Sequence, residues 1–422
     1  MTRYRWSPGG RLATAVAVVG VLGVVTVGGC TAGGVEPDPA GAVTSGAADR
    51  PVAQPSQADL DARLRDAAWA DDVAAARGLL AEGADADATD ETQQSAYLVA
   101  TSEGHLELLE LTLAAGAHID AKDSWNGTGL IGAAERGHHL VVGRLLRAGI
   151  DKDHVNRIGY QALHEAVWFG SDSAPEVATV RVLVAGGAEL SRSSGTEGLT
   201  PLEMAHERGY RTLERVLTSA DRHRRSSSPD AALLAAAGTG DADAVALALR
   251  DGAHLEARDR AGRTALLLAA SKDHVEAARV LVAMGANPDA LDDQHDTPWL
   301  VTGVTGSVAM LETLLPAGPD LTLVNRYGGV SVIPASERGH VEYVRRVVST
   351  GVDVDHVNSL GWTALLEAVL LGDGGARHRE IVRILLDSGA DPSIGDRDGV
   401  TPLEHAERLG FDDLASILRP AH

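Results

Sequence analysis

The feature that most constrains the fold is a glycine that returns at a nearly fixed interval. It ends the phrase LLxxG, or a close variant of it, at Gly83, Gly116, Gly149, Gly187, Gly252, Gly285, Gly318, Gly351 and Gly389. Successive steps are 33 residues, apart from two steps of 38 and one longer step across the middle of the chain. Such a period is typical of a solenoid, in which each stacked unit contacts only its neighbours. The sequence therefore predicts a repeat array rather than one compact core.

Each unit contains the signals for two short helices. In residues 396–418, Gly399 marks a turn, Thr401 is a helix N-cap, and Pro402 occupies the first helical position. This first helix is predicted to end near Gly410, and a second one follows with its leucines on one face. A glycine after the second helix can adopt the left-handed conformation that closes it. The unit is therefore a helix-turn-helix followed by a loop.

The period, the TPL opening, the GH turn and the LLxxGA ending together resemble the ankyrin repeat. The phrases that carry the resemblance are TPLEMA at Thr200, TPLEHA at Thr401, RTALLLAA at Arg263, ERGH at Glu135 and Glu337, and LLDSGADPS at Leu385. The resemblance covers about residues 58–418. It implies an all-α repeat solenoid of about 11 units, each with two helices and a β-hairpin loop. It also implies that a protein partner binds along the concave face formed by the hairpin tips and first helices.

The chain also contains two copies of one array. Residues 95–190 and 297–392 align at a constant offset of 202, with 36 identities in 96 positions. The first copy is predicted to have five units and the second six, with the additional unit close to residues 259–291. The phrase DHVN is duplicated at Asp153 and Asp355, so its histidines, His154 and His356, are expected to bond local backbone rather than a shared metal ion.

The units define five predicted segments. They are a signal peptide (1–29), a flexible tether (30–57), a first array (58–220), a basic and serine-rich connector (221–229) and a second array (230–420). The connector can be an enlarged hairpin loop in an unbroken stack of eleven units, or a hinge between two independent arrays. We favour the unbroken stack, since the spacing across the connector is close to one repeat.

The N-terminus has the features of an export signal. Arginines precede an apolar stretch over residues 12–28, and the phrase VGGC that ends at Cys30 resembles a bacterial lipobox, in which the cysteine is lipidated. An uncleaved membrane anchor is the alternative, because 17 apolar residues approach the length that spans a bilayer. In both cases the arrays are expected on the outer side of the cell membrane. The resemblance implies lipidation at Cys30.

Composition and motifs argue against most catalytic classes. Cys30 is the one cysteine in the sequence, so neither a disulfide framework nor a cysteine zinc site can form. The phrase HEAVW, which begins at His164, has Trp168 where a zinc signature needs a second histidine. No phosphate-binding GK[ST] motif or GxSxG nucleophile motif occurs. We therefore predict that the protein is not an enzyme and has no cofactor, catalytic residue or metal site.

Aromatic residues suggest where a partner binds. Six of them match between the copies, namely Tyr97 with Trp299, Trp125 with Tyr327, and Tyr160 with Trp362. They lie in a hairpin or at the start of a first helix, where they can anchor a partner or pack on the neighbouring repeat. The net charge of −22 favours a basic protein partner, disfavours nucleic acid, and helps to keep the protein monomeric.

Two further functions remain open beside an interaction scaffold. The first is an immunity or inhibitor protein directed against a secreted toxin or an envelope enzyme. The second is a receptor for a small ligand or a cell-wall glycan, in which Trp299, Tyr327 and Trp362 act as stacking platforms. The identity of the partner cannot be deduced from the fold, because one fold supports many functions.

Overall fold

A computed structural model describes residues 55–419 of the chain. The predicted signal peptide, Cys30 and nearly all of the tether lie outside this range. Within it, 22 α-helices follow one another as eleven antiparallel pairs, and the hairpin loops contain two isolated β-bridges. None of these helices combines the length and apolar character required to cross a membrane. The predicted all-α repeat solenoid is confirmed.

The first array contains five helix pairs. They are α1 Gln57–Trp69, α2 Val73–Ala81, α3 Ala96–Glu103, α4 Leu106–Ala114, α5 Gly129–Glu135, α6 His139–Arg147, α7 Ala162–Trp168, α8 Ala174–Ala185, α9 Pro201–Arg208 and α10 Arg211–Arg222.

The second array contains six pairs. They are α11 Pro229–Thr239, α12 Ala242–Arg250, α13 Ala265–Ala270, α14 Val275–Ala283, α15 Pro298–Thr305, α16 Val308–Leu314, α17 Val332–Glu337, α18 Val341–Val347, α19 Ala364–Leu370, α20 Ala376–Asp387, α21 Pro402–Leu409 and α22 Asp412–Leu418. Short 3-10 turns, Leu315–Ala317 and Val348–Thr350, extend α16 and α18.

The helix ends follow the local sequence signals. Thr200 and Thr401 form reciprocal capping boxes with Glu203 and Glu404, so the first backbone N–H groups of α9 and α21 have acceptors. Gly410 ends α21 in the left-handed conformation, which glycine adopts without a Cβ penalty. The first helices of these units therefore begin and end where the TPL phrases predict.

Departures from the repeat pattern are absorbed locally. Pro334 is the third residue of α17, where a backbone N–H would have no intrahelical acceptor, so the helix forms without losing a hydrogen bond. Gln93 and His295 replace a hairpin glycine and take its positive φ, at +61° and +60°. The two steps of 38 residues contain insertions near Ser171 and Asp373, and the helices that follow them, α8 and α20, have 12 residues each.

Within each array the helices form two layers. First helices pack on first helices along the series α1, α3, α5, α7 and α9, and second helices pack on second helices along the series α2 to α10. The second array repeats this arrangement from α11 to α22. The core is the continuous apolar seam between neighbouring units, in which leucines such as Leu183 and Leu385 are completely buried.

The two arrays do not continue one another as a single stack. In the part of the chain that the structure describes, the main helix neighbours of α11 are α12, α13 and α14, whereas α9 packs on α7 and α10. Helix α8 instead packs on α12 and α14, and α6 also packs on α14. The second-helix layers of the arrays therefore face each other, and the favoured unbroken stack is wrong.

The connector explains why the stack is interrupted. Its first residues extend α10 to Arg222 and its last one, Pro229, begins α11. Between them, the backbone N–H of Ser226 donates to Asp251 Oδ2 at 2.7 Å, and His223 Nε2 lies 2.8 Å from the same carboxylate. Since Asp251 follows α12, these bonds hold the connector against the second array as a turn. It is neither a hairpin within a stack nor a free hinge.

Buried ion pairs join the two arrays. The guanidinium of Arg181, on α8, lies 2.8 Å from Asp243 and 3.2 Å from Glu276, and its side chain is only 8% exposed. Arg215 also pairs with Asp243. Removing one partner of such a network leaves an uncompensated buried charge, so these groups fix how the arrays meet.

Close backbone contacts complete this interface. A Cβ atom added to Gly143 on α6 would lie 2.1 Å from the carbonyl oxygen of Ala283 on α14, so only glycine fits there. Arg147 donates to the same carbonyl, and Arg250 donates to Ala188 O at 2.9 Å. The second copy has Arg345 at the position that matches Gly143, and Arg345 is exposed.

Candidate partner-binding surface

The hairpin tips are built on asparagine or aspartate turns. Asn325 accepts the N–H of Gly328 on its carbonyl oxygen at 2.8 Å, and its side-chain oxygen accepts the N–H of Tyr327 at 2.9 Å. Gly328 takes φ +69°, which closes the turn. Asn358 organises the next hairpin in the same way. Each tip therefore has a fixed backbone from which its side chains project.

Successive hairpins are also linked to one another. The N–H of Ser359 donates to Tyr327 O at 2.8 Å, and in the first array the N–H of Arg157 donates to Trp125 O at 2.9 Å. These bonds join neighbouring tips into a continuous ridge along each array. A ridge whose backbone is already ordered loses little conformational freedom when a partner binds.

Two of the six predicted aromatic positions lie on this ridge. Trp125 is 55% exposed and Tyr327 is 56% exposed, which is unusual for rings of this size. The guanidinium of Arg326 lies 4.9 Å from the centre of the Tyr327 ring and holds it in place. Trp362 is half-buried beside the next hairpin. These three residues remain predicted partner-binding residues.

The other three aromatic predictions are wrong, because their rings lie in the core. Tyr97 is 0% exposed, and Tyr160 and Trp299 are each 1% exposed. Tyr97 and Trp299 are the second residues of α3 and α15, and this position faces the neighbouring repeat. The Tyr97 hydroxyl donates to Ile119 O at 2.6 Å. Their recurrence between the copies therefore reflects core packing.

Exposed apolar residues on the hairpins of the second array were not predicted from the sequence. Leu291, Val324, Val357 and Leu360 are all exposed. The available signal was their spacing, since Leu291, Val324 and Val357 each lie one repeat apart. Aliphatic residues at these positions are not distinctive, because Ala, Leu and Val are common throughout the chain.

The duplicated DHVN phrase has a structural role. His154 Nε2 lies 2.7 Å from the carbonyl oxygen of Asn126, and His356 Nε2 lies 2.7 Å from that of Gly328. Each imidazole thus supports the preceding hairpin from below, and the prediction of a local backbone hydrogen bond is confirmed.

The asparagine of the same phrase holds a buried glutamate. Asn156 Nδ2 donates to Glu165 Oε1 at 2.6 Å, and Asn358 Nδ2 donates to Glu367 Oε1 at 2.7 Å. Burial, helped by the charge of Glu135, raises the pKa of Glu165 to about 8, although the Asn156 hydrogen bond opposes this. Burial also raises the pKa of Glu367 to about 7. A neutral asparagine suits this position because an aspartate would repel the glutamate.

The HEAVW histidine is fully engaged by the backbone. His164 Nε2 lies 3.0 Å from Arg192 O, and its Nδ1 accepts the N–H of Gln161 at 3.3 Å. Across residues 55–419, no three histidine, cysteine or acidic side chains are grouped as metal ligands would be. His164 is therefore part of the packing of α7.

The small-ligand alternative is weakened by the geometry. Trp299 is buried, so the three proposed stacking platforms do not share a surface. A cavity of about 400 Å³ exists, but it lies between the two arrays and is lined by residues such as Leu106, Arg147 and Pro316. None of the three aromatic residues lines it.

Comparison with known proteins identifies the repeats. A family model described as "Ankyrin repeats (3 copies)" matches residues 97–194, 202–292, 232–325, 299–396 and 334–421. The ankyrin repeat protein YahD of Escherichia coli (strain K12) is 49% identical over 59 residues, which are 14% of this chain and 29% of YahD. The chain thus spans under a third of that relative.

Two solved structures are also similar. An ankyrin repeat domain from Acinetobacter baumannii AYE shares 42% identity, with 46% of this chain and 97% of that one covered and a TM-score of 0.44. The ankyrin repeat protein EF0377 shares 36% identity, with 45% and 96% covered and the same TM-score of 0.44.

Proposed function

The chain belongs to the ankyrin-repeat family, and on this premise we propose that it is a non-enzymatic scaffold that binds a partner protein outside a bacterial cell membrane. The family generally serves as an interaction module. One observation carries the proposal for this chain: the main contacts between the arrays are made by second helices, and the hairpin tips that carry Trp125 and Tyr327 are exposed. Each ridge presents an exposed aromatic ring, Trp125 or Tyr327.

The location is proposed from the N-terminal sequence. The VGGC phrase supports lipidation of Cys30 and release of residues 1–29, which would tether the arrays to the outer leaflet. A single acyl chain binds membranes weakly, so stable anchoring needs more than one chain.

We expect Cys30→Ser to abolish incorporation of an alkyne-tagged fatty acid and to release the protein from the membrane fraction. Labelling and fractionation of the producing cells would measure both effects. If the variant stayed in the membrane fraction as the parent does, the apolar segment itself would be the anchor and lipidation would not be required.

The scaffold function is tested by cross-linked co-purification from the source membranes. We expect one partner to be recovered with the parent chain and lost with Trp125→Ala/Tyr327→Ala, since both rings are exposed on the ridges. Trp69→Ala is the matched control, because Trp69 is 44% exposed but lies at the end of α1. Recovery of the same proteins by all three chains would contradict binding through the ridges. A toxin or enzyme as the stoichiometric partner would identify the scaffold as an inhibitor.

A further inference from the structure

The second array carries a row of exposed apolar side chains on three consecutive hairpins. We name this row the apolar strip; it consists of Leu291, Val324, Tyr327, Val357 and Leu360, whose exposed fractions range from 37% to 56%. Exposed apolar residues are normally scattered singly over a protein surface, and contiguous groups mark interaction sites. The strip continues through neighbouring repeats at matching positions, so it is an extended feature.

The backbone under the strip is held in place. Tyr327 and Leu360 occupy equivalent positions in turns organised by Asn325 and Asn358, and the Ser359 N–H to Tyr327 O bond joins these two hairpins. Arg326 connects the second hairpin back to the first through Asp296, at 3.0 Å. The apolar side chains therefore keep a fixed spacing before any partner arrives.

The first copy lacks this continuity. At the position that matches Val324, the first copy has Lys122, and Leu291 lies in the repeat that has no counterpart there. Lys122 is exposed and would place a charge within the row. The strip is thus present in the second array and absent from the first, although the two arrays share the pattern of their buried residues.

Carboxylates share the loops of the second array with the strip. Asp293, Asp320, Asp353 and Asp398 are all exposed on the same series of loops. Arg326 pairs with Asp296, whereas Arg258 and Arg397 donate to the carbonyl oxygens of Leu291 and Ser359. The four exposed aspartates outnumber these three arginines. A second molecule of this protein is disfavoured as the occupant, because each chain carries a net charge of −22 and two such chains repel each other.

From the strip and its acidic border, we propose that the second array binds a basic, amphipathic segment of the partner protein. Apolar side chains of the segment contact the strip, and its Lys or Arg side chains face the aspartates. Neighbouring repeats lie about 10 Å apart. A polyproline II segment advances about 3.1 Å per residue with three residues per turn, so roughly every third residue, on one face of the segment, is apolar. This inference rests on the proposed scaffold function and specifies its partner.

The probe is the peptide LKKLKKLKKL, titrated into the full chain by isothermal titration calorimetry. We expect saturable binding that Tyr327→Ser/Leu360→Ser weakens at least tenfold. Trp69→Ser/Leu409→Ser is the matched control, since both residues have similar exposure but lie outside the hairpins; it should leave the Kd unchanged. All four positions are exposed, so both variants are expected to fold, and circular dichroism checks this.

Two further peptides separate the contributions. LEELEELEEL should not bind, and SKKSKKSKKS should bind at least tenfold more weakly than the probe. Equal binding of LKKLKKLKKL and SKKSKKSKKS, or an equal Kd for the two double variants, would overturn the proposal by showing charge attraction without the strip. If the membrane partner still depended on Trp125 in that case, the scaffold function would stand and only the strip assignment would fail.

Discussion

Replacing Gly143 by arginine, the residue at the matching position of the second copy, is expected to separate the two arrays while leaving each one folded. The new side chain would meet the carbonyl of Ala283, where even a Cβ atom would lie 2.1 Å away. Overpacking of a close interface costs about 1–3 kcal/mol. Displacing Arg181 from Asp243 and Glu276 would add a further cost, because it would leave a buried charge without its partner. Small-angle scattering should show an increased radius of gyration.

The matched control is Gly78→Arg. Gly78 is also a glycine within a second helix, α2, but a Cβ atom added there would have no neighbouring atom within 4 Å. This change should leave the radius of gyration unaltered and add about 1 kcal/mol of helix stability. Circular dichroism should report the same helix content for both variants. An unchanged radius of gyration for Gly143→Arg would contradict the close packing of α6 on α14.

The stability of the protein should depend less on pH when the buried glutamates are replaced by glutamine. Glu165 has a pKa of about 8 in the native chain and an ordinary value of 4.5 when unfolded. The native state therefore binds more protons than the unfolded state between these values, so the free energy of unfolding decreases as the pH rises through this window. Glu165→Gln carries no such titration and still presents an oxygen to Asn156.

We expect Glu165→Gln to match the parent chain near pH 5 and to exceed its stability by about 4 kcal/mol near pH 8.5, because a difference of one in pKa corresponds to about 1.4 kcal/mol. Glu165→Gln/Glu367→Gln should extend the difference. Urea denaturation across this range measures it, and the difference between chains cancels other groups, such as His139, whose pKa burial lowers to about 4. Glu91→Gln, at an exposed residue, is the control. Parallel pH profiles for the parent chain and Glu165→Gln would refute the burial of an uncharged Glu165.

The fold was largely predictable because its determinants are local. Capping threonines such as Thr401 and closing glycines such as Gly410 specify each unit, and one unit implies the next. The relation between the arrays was not predictable, since it depends on contacts such as Arg181 with Asp243 that are 62 residues apart and follow no period. Spacing across the connector matched one repeat, but the bonds of Ser226 and His223 to Asp251 turn the chain away.

The candidate surface was predictable only in part. Trp125 and Tyr327 follow a turn-forming residue by two positions, and this places them at a tip. Tyr97 and Trp299 are only a few residues further along their units, after the N-caps Ser95 and Thr297, where side chains enter the seam. The number of residues between an aromatic residue and the helix N-cap distinguishes a position at the exposed tip from one in the buried seam. Aromatic recurrence alone does not.

The contact between α6 and α14 also bears on how the two copies of the array differ. Helix α14 lies in residues 259–291, the repeat with no counterpart in the first copy, so the first copy packs against the repeat that distinguishes the two copies. A head-to-tail contact of this kind can propagate into filaments if every copy offers both surfaces. The second copy has Arg345 in place of Gly143 and cannot receive another α14. The surface that receives α14 in the first copy is therefore blocked in the second.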